Sequence, residues 1–497
     1  MKRVLVANRG EIALRVIRAC HEEGMEAVAV YSAADRGAAH VRAADRAVEI
    51  GPAAPGESYL RADRLVQAAL ETDSDAVHPG YGFLAERASF ADAVEEAGLV
   101  FVGPPASAIR AMGDKTEARR RMRDAGVPVV PGAHEPITDV GVASKLAEEL
   151  GYPVLVKAAA GGGGKGMRVV RKQAELSGAL ETAASEARKA FGDPSVYLEK
   201  LIERPRHVEI QVLADRERTI HLGERECSVQ RRHQKLVEEA PSPAVSPDLR
   251  EWMGTAAVAA AEAVGYLGAG TCEFLLAADR SFYFLEMNTR IQVEHPVTEL
   301  VYGIDLVREQ LRIAAGQPMR IPTRWLDPRG WALECRITSE DPANGFLPST
   351  GRIEQLRIPG GPGVRWDSGI ELGDEVTLFY DSLLAKLIVW APDRLQAIDR
   401  MARALDELVI DGVITTQGFH RRLMADREFR EGDIDIQFLD RRGDLAAASL
   451  SEVEAVDLAI AAALAEDEAR SMRRPSVANG DAGAGNWLSR ARLEGLR

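Results

Sequence analysis

The chain has 497 residues, enough for several domains around a large buried core. Apolar residues make up 46% and charged residues 28%, the proportions of an ordinary globular protein. A net charge of −14 excludes bulk nucleic-acid binding, and no apolar run approaches membrane-spanning length.

The four cysteines, Cys20, Cys227, Cys272 and Cys335, form no CxxC spacing. A zinc site or redox pair is therefore not expected, and a reduced cytoplasmic compartment fits. The first residues read as a strand and a helix, without the apolar run of a signal peptide.

In chain order, Val4–Ala7 reads as a buried strand and Glu11–Glu23 as a helix. Ala27–Tyr31 reads as a strand, Tyr59–Leu70 as a helix, and Asp75–His78 and Val100–Gly103 as strands. This alternation predicts a parallel, doubly wound sheet over residues 1–113. Gly126–Gly132 is punctuated by proline and glycine. A helix (Val142–Leu150), a strand (Pro153–Lys157) and the glycine run Gly161–Gly164 follow, giving a small α/β unit over 114–203. Arg206–Leu213, Thr271–Ala277 and Ser281–Asn288 read as strands of a larger unit over 204–330. Mixed strands and helices fill 331–446. A tail over 447–497 holds a helix (Val453–Arg470), a Gly/Asn/Asp linker and a short terminal helix from Trp487.

Ser281–Glu299 carries the densest chemistry. Glu286, Asn288, Arg290, Gln292 and Glu294 share one parity, so an extended backbone would present all five on one surface. A solvated strand face is the plain alternative. The apolar residues Phe282–Leu285 argue instead for a buried strand, where unpartnered charge is costly. With a two-residue turn at Ala278–Asp279, Glu273 would lie opposite Phe284 and diagonal to Glu286. Two carboxylates and an amide oxygen would then suit Mg²⁺ or Mn²⁺. The glycine run, flanked by Lys157 and Lys165, can close backbone N–H groups around phosphate or act as a flexible linker. It is not a Walker A loop, because Lys165 is followed by Gly166. Gly80–Ala85 matches GxGxxA but lacks the acidic residue that a ribose contact needs. Gln230–Lys235 is either a solvated basic loop or an anion site.

Together these segments resemble biotin carboxylase, of the ATP-grasp superfamily. The resemblance rests on Ala7–Ala13, His78–Leu84, Met112–Lys115, the glycine loop, Glu224–Lys235, Glu286–Glu299 and Tyr380–Ser382, and covers roughly residues 1–445. It implies an α/β ATP-grasp fold: an N-terminal doubly wound domain, a small α/β lid over about 132–203 that is open without ATP, and a C-terminal mixed α/β domain. It implies carboxylation of biotin by ATP and bicarbonate through carboxyphosphate. By the same resemblance, Lys115, Lys157, Gly163 and Gly164 hold ATP phosphates, and Glu199, Lys200 and Ile202 line the adenine pocket. His207, Gln230 and His233 complete the nucleotide site. Glu273, Glu286 and Asn288 bind two Mg²⁺ or Mn²⁺ ions. Lys235, Arg290, Gln292 and Val293 contact bicarbonate, Glu294 is the general base, and Arg336 with Arg290 stabilises the biotin enolate. Ala159–Ala160 and Lys165 depart from the family's usual lid residues.

A homodimer is implied by the resemblance, with Arg15, Arg18 and Glu22 on one charged helix face and with Arg365; Pro362 replaces a residue often aromatic at the family's dimer interface. No Met-Lys-Met attachment site exists and the last lysine is Lys386. Biotin is therefore expected on a separate carrier protein, alongside a carboxyltransferase subunit whose acceptor (acetyl-CoA, propionyl-CoA, another acyl-CoA or pyruvate) stays open. Two rival readings are another ATP-grasp carboxylate ligase and a non-catalytic nucleotide-binding subunit.

Overall fold

A computed structural model describes residues 1–133, 137, 139–158, 167–191, 195–321, 327–447, 456 and 459–467. Residues 1–447 form one compact unit and 448–497 a second. In the second, Val456 and residues 459–467 are helical and exposed, inside the expected Val453–Arg470 helix. The rest of that helix, the linker and the Trp487 helix lie outside the described residues.

The N-terminal sheet joins β1 (Arg3–Val6), β2 (Glu26–Ser32), β3 (Arg46–Gly51), β4 (Ala76–His78) and β5 (Val100–Phe101). All pairs are parallel, in the order β3-β2-β1-β4-β5. Both faces are covered, as parallel sheets require. Val4, Val6, Ala27 and Ala29 pack toward the first helix, Gly10–Glu22, while Leu5, Val28, Val30 and Val77 pack on the opposite side. The strand order reverses between β1 and β4, where ligands enter doubly wound sheets. Asn8, Arg9 and Tyr81 follow the carboxyl ends of these two strands and line a large cleft.

Two expectations here are corrected. Edge strand β3 adds to the expected sheet; its residues are mostly exposed or half-buried and carry little apolar signal. The helix expected over Tyr59–Leu70 spans Ala62–Glu71. Tyr59 precedes it, and its buried hydroxyl donates to Asp35 at 2.6 Å.

A three-stranded antiparallel sheet follows, in the order β7 (Arg168–Val170), β6 (Val154–Ala158), β8 (Val196–Lys200). The glycine run between β6 and β7, including Gly163 and Gly164, lies outside the described residues.

The largest sheet is antiparallel and carries the chemistry. Its order is β13 (Phe282–Asn288), β12 (Gly268–Leu276), β9 (Arg206–Ala214), β10 (Thr219–Arg231), β11 (Gln234–Ala240), β14 (Trp331–Thr338), then Leu383–Ala391 and Val364–Ser368. β13 is an edge strand, and Leu285 and Glu286 open to the cleft, which corrects its reading as a buried strand. The extended run also stops at Asn288. Residues beyond it bend, and Glu294 is the N-cap of the helix His295–Tyr302.

Candidate active site

The sheet register builds the site. Glu286 on β13 pairs with Glu273 on β12, Glu273 with Glu209 on β9, and Glu209 with Arg225 on β10. One transverse row thus sets three carboxylates and a guanidinium side by side across four strands. The β12–β13 loop is longer than a two-residue turn: Leu276 pairs with Phe282, Ala277 N–H donates to Ser281 O, and a register shift follows Glu273. This puts Glu273 directly opposite Glu286 and corrects the expected diagonal relation.

The inner members of this row, Glu273, Glu209 and Arg225, can be buried only if their charges are neutralised. Arg225 has no accessible surface and donates from Nε to Glu209 at 2.5 Å. Its other nitrogens reach Gln211, Thr298 and Thr271 at 2.7–3.1 Å. Lys235, from β11, donates to Glu209 at 2.5 Å, Glu294 at 2.7 Å and Glu273 at 2.9 Å. Burial alone would favour the neutral amine, but these three carboxylates hold the Lys235 pKa well above its usual value.

Glu294 is wholly buried. Its second oxygen accepts from Arg336 Nη2 at 2.9 Å. Burial raises its pKa, yet Lys235, Arg336 and Arg225 overcome that and hold it well below the carboxylate range. Arg336 is also gripped by Glu238, at 2.6 Å from Nε. Burial lifts the Glu238 pKa to about 7, with Arg336 opposing the rise and Glu294 adding to it.

Around Glu273, Asn288 Nδ2 donates at 2.9 Å and Gln292 Nε2 at 3.3 Å, while His207 Nε2 lies 3.1 Å from its other oxygen. Burial pushes the Glu273 pKa up, and Lys235 and His207 overcome it and keep it low. Burial and the Glu273 charge raise that of Glu286. Arg290 donates to Gln292 at 2.7 Å and to Asn288 Oδ1 at 3.1 Å. Glu273, Glu286 and the Asn288 amide oxygen form a hard-oxygen set that fits Mg²⁺ or Mn²⁺.

The remaining expected residues line the same cleft of about 1830 Å³: Lys115, Lys157, Glu199, Lys200, Ile202, Gln230, His233 and Val293. Lys115 opens a helix capped by Asp114. Lys157 ion-pairs with Glu199, which Arg119 also engages. Lys200 donates to Gly151 O at 2.7 Å. The Gln230–Lys235 segment is the β10–β11 hairpin, with Arg232 and His233 at positive φ, so it is an ordered turn at the cleft.

Sequence reasoning does not single out Glu209, Arg225, Arg119, Glu238 or the role of Lys386. The period-two run His207-Val-Glu209-Ile-Gln211 holds the signal for Glu209. Arg15 is corrected: it is buried, bonding Glu299 at 2.9 Å and Asp305 at 2.6 Å, so only Arg18 and Glu22 of that stripe are exposed. Arg365 shares Glu299, at 2.7 Å.

Three family models match successive segments: "Biotin carboxylase, N-terminal domain" over residues 1–109, "Carbamoyl-phosphate synthase L chain, ATP binding domain" over 114–321, and "Biotin carboxylase C-terminal domain" over 334–441. A pyruvate carboxylase subunit of Methanothermobacter thermautotrophicus is 54% identical over 444 residues, covering 89% of this chain and 90% of that protein. Biotin carboxylase 1 of Bacillus subtilis is 53% identical, covering 88% and 98%. The biotin carboxylase domain dimer of Hydrogenobacter thermophilus 2-oxoglutarate carboxylase, solved with MgADP, ADP and bicarbonate, superposes with a TM-score of 0.83. It is 49% identical and covers 90% of this chain and 99% of its own.

Proposed function

Since this chain belongs to the biotin carboxylase family, we propose that its cleft uses ATP and bicarbonate to carboxylate biotin carried on a separate protein. The reaction is the first half of a biotin-dependent carboxylase, with a carboxyltransferase subunit completing it.

Lys115, Lys157, Gly163 and Gly164 hold the phosphates, and Glu199, Lys200, Ile202, His207, Gln230 and His233 hold the rest of the nucleotide. Glu273, Glu286 and Asn288 would hold two Mg²⁺ or Mn²⁺ ions, which when bound supply charge that neutralises the phosphate oxygens. Arg290, Gln292 and Val293 orient bicarbonate with Lys235. Glu294 takes the bicarbonate O–H proton as that oxygen attacks the γ-phosphorus and ADP leaves. Carboxyphosphate then divides into CO₂ and phosphate, and phosphate takes the ureido N–H proton. The resulting enolate oxygen is stabilised by Arg336 and Arg290 while the nitrogen attacks CO₂.

The observation that carries this reading is the buried contact of Glu294 with Lys235 and Arg336. Lys235, the first of the cations that hold the base ionised, is also a bicarbonate contact. An arriving bicarbonate competes for Lys235, which loosens its grip on Glu294 and raises the basicity of that carboxylate at the moment of proton transfer.

Replacing Glu294 by Gln should preserve ATP binding but cut bicarbonate-dependent ADP release, assayed with free biotin, by roughly 10²–10⁴-fold. Turnover equal to wild type would overturn the assignment. ADP release driven by another carboxylate instead of bicarbonate would identify a different ATP-grasp ligase.

The same reading divides the chain at residues 113, 203, 330 and 446 into N-terminal domain, lid, ATP-grasp core, C-terminal domain and tail. The enzyme is read as cytoplasmic; no described helix is long and apolar enough to cross a membrane. It is also read as a homodimer, on the precedent of the Hydrogenobacter domain. Light scattering at micromolar concentration should give twice 53.9 kDa, and a monomeric mass would refute the dimer.

A further inference from the structure

We propose that Lys386 is a positioning residue for the bicarbonate-binding segment, an inference that rests on the functional reading above. Lys386 lies on the Leu383–Ala391 strand, paired with Arg336 on one side and Asp367 on the other. It has no accessible surface. Its ammonium donates to the Val293 carbonyl at 2.9 Å and lies 3.1 Å from Glu11 Oε1. It also sits 5.9 Å from the centre of the Tyr81 ring, whose hydroxyl donates to the same Glu11 oxygen.

The Val293 carbonyl belongs to the rigid peptide plane that continues into the Glu294 N–H. A donor fixed on that carbonyl therefore sets the direction in which the chain enters Glu294. This segment is irregular, lying between the end of β13 and the helix that starts at His295, outside the hydrogen-bond ladder of the sheet. The first helix contributes Glu11 and the Tyr81 turn braces it. This gives the Ala7–Ala13 and His78–Leu84 motifs a task at the base, although neither holds the base itself.

Lys386 could instead serve only to neutralise Glu11, Glu334 and Asp367. Asp367 already has Arg365, at 2.7 Å. Two variants separate the roles. Lys386→Met removes donor and charge and leaves Glu11 without its cation, with only the Tyr81 hydroxyl as partner. The double variant Glu11→Gln with Lys386→Met restores charge balance but still leaves Val293 without its ammonium.

Steady-state kinetics with free biotin, alongside thermal unfolding, are read for both variants. The bicarbonate KM should rise about ten-fold or more in each. The MgATP KM should stay within about three-fold. The double variant should regain the thermal midpoint that the single loses, without regaining bicarbonate affinity. A bicarbonate KM restored in the double variant, or an ATP KM moving in parallel, would overturn the proposal. A double variant that cannot fold would also overturn it, because Lys386 would then serve the fold. Wild-type enzyme without bicarbonate-dependent turnover would defeat the functional reading instead.

Discussion

Arg225 shows how one side chain makes the site possible. Glu209 stands fully buried beside Glu273, and like charges at that spacing cannot both ionise without compensation. Arg225 and Lys235 supply it from either side. Arg225→Ala should therefore destabilise the protein by about 3–5 kcal/mol, because it leaves buried Glu209 with only Lys235, a cation that Glu273 and Glu294 share. Denaturant unfolding checks this, and a loss below about 1 kcal/mol, the surface-pair range, would contradict it. At this scale the sequence places Arg225 inside the Glu224–Lys235 motif but gives it no partner. A lone arginine on a strand says nothing of its partners until four strands are aligned. Arg15 teaches the same lesson in reverse: its helix position predicts a surface charge, and Glu299 and Asp305, almost three hundred residues away, bury it.

Strand β10 carries a register shift between His221 and Glu224. Gly223 there has φ +61°, and a Cβ would collide with the Tyr302 hydroxyl. Both the left-handed conformation and the filled space require glycine. The shift returns Arg225 to register with Glu209 and leaves Glu224 to pair with Arg250, at 2.6 Å. Gly223→Ala should cost about 1–3 kcal/mol and lower activity by moving Arg225. An unchanged unfolding midpoint with unchanged turnover would remove that explanation. Alternation alone cannot reveal such shifts. The parity of Glu286 and Asn288 is legible in the sequence, but the longer loop and the bulge after Glu273 are not, so the predicted diagonal becomes a direct pair. The extended reading fails beyond Asn288 because His295-Pro296 opens a helix whose N-cap is Glu294.

Across the whole molecule, burial controls acid stability. His40, His221 and His420 are lowered by burial to about 4, and His78 to about 3. Each is held neutral in the fold and would accept a proton more readily when unfolded. Their contribution is therefore complete above the ordinary histidine range and lost as pH falls toward these values. Glu238 has the opposite sign: burial raises its pKa to about 7, so its contribution is present at acid pH and lost as pH rises through 7. The thermal midpoint should fall between about pH 6.5 and about pH 4 more steeply than one histidine allows. A flat profile across that window would contradict the assignment of neutral, buried rings.

The sequence by itself determined the α/β class and the doubly wound first unit, because strand and helix periods are local properties of the chain; the expected cleft residues followed from the resemblance that its short motifs carry. It also determined the oxygen-rich character of the Glu286–Glu294 segment. Only the tertiary structure decided which charges neutralise which. Glu209 meets Arg225 and Lys235, Glu294 meets Lys235 and Arg336, and Lys386 meets Val293 and Glu11 across residues separated by tens to hundreds of positions. The physical reason is that a buried charge has no preferred partner in sequence. Its partner is whichever opposite charge the sheet register brings within hydrogen-bond reach, and bulges, loop lengths and strand order set that register.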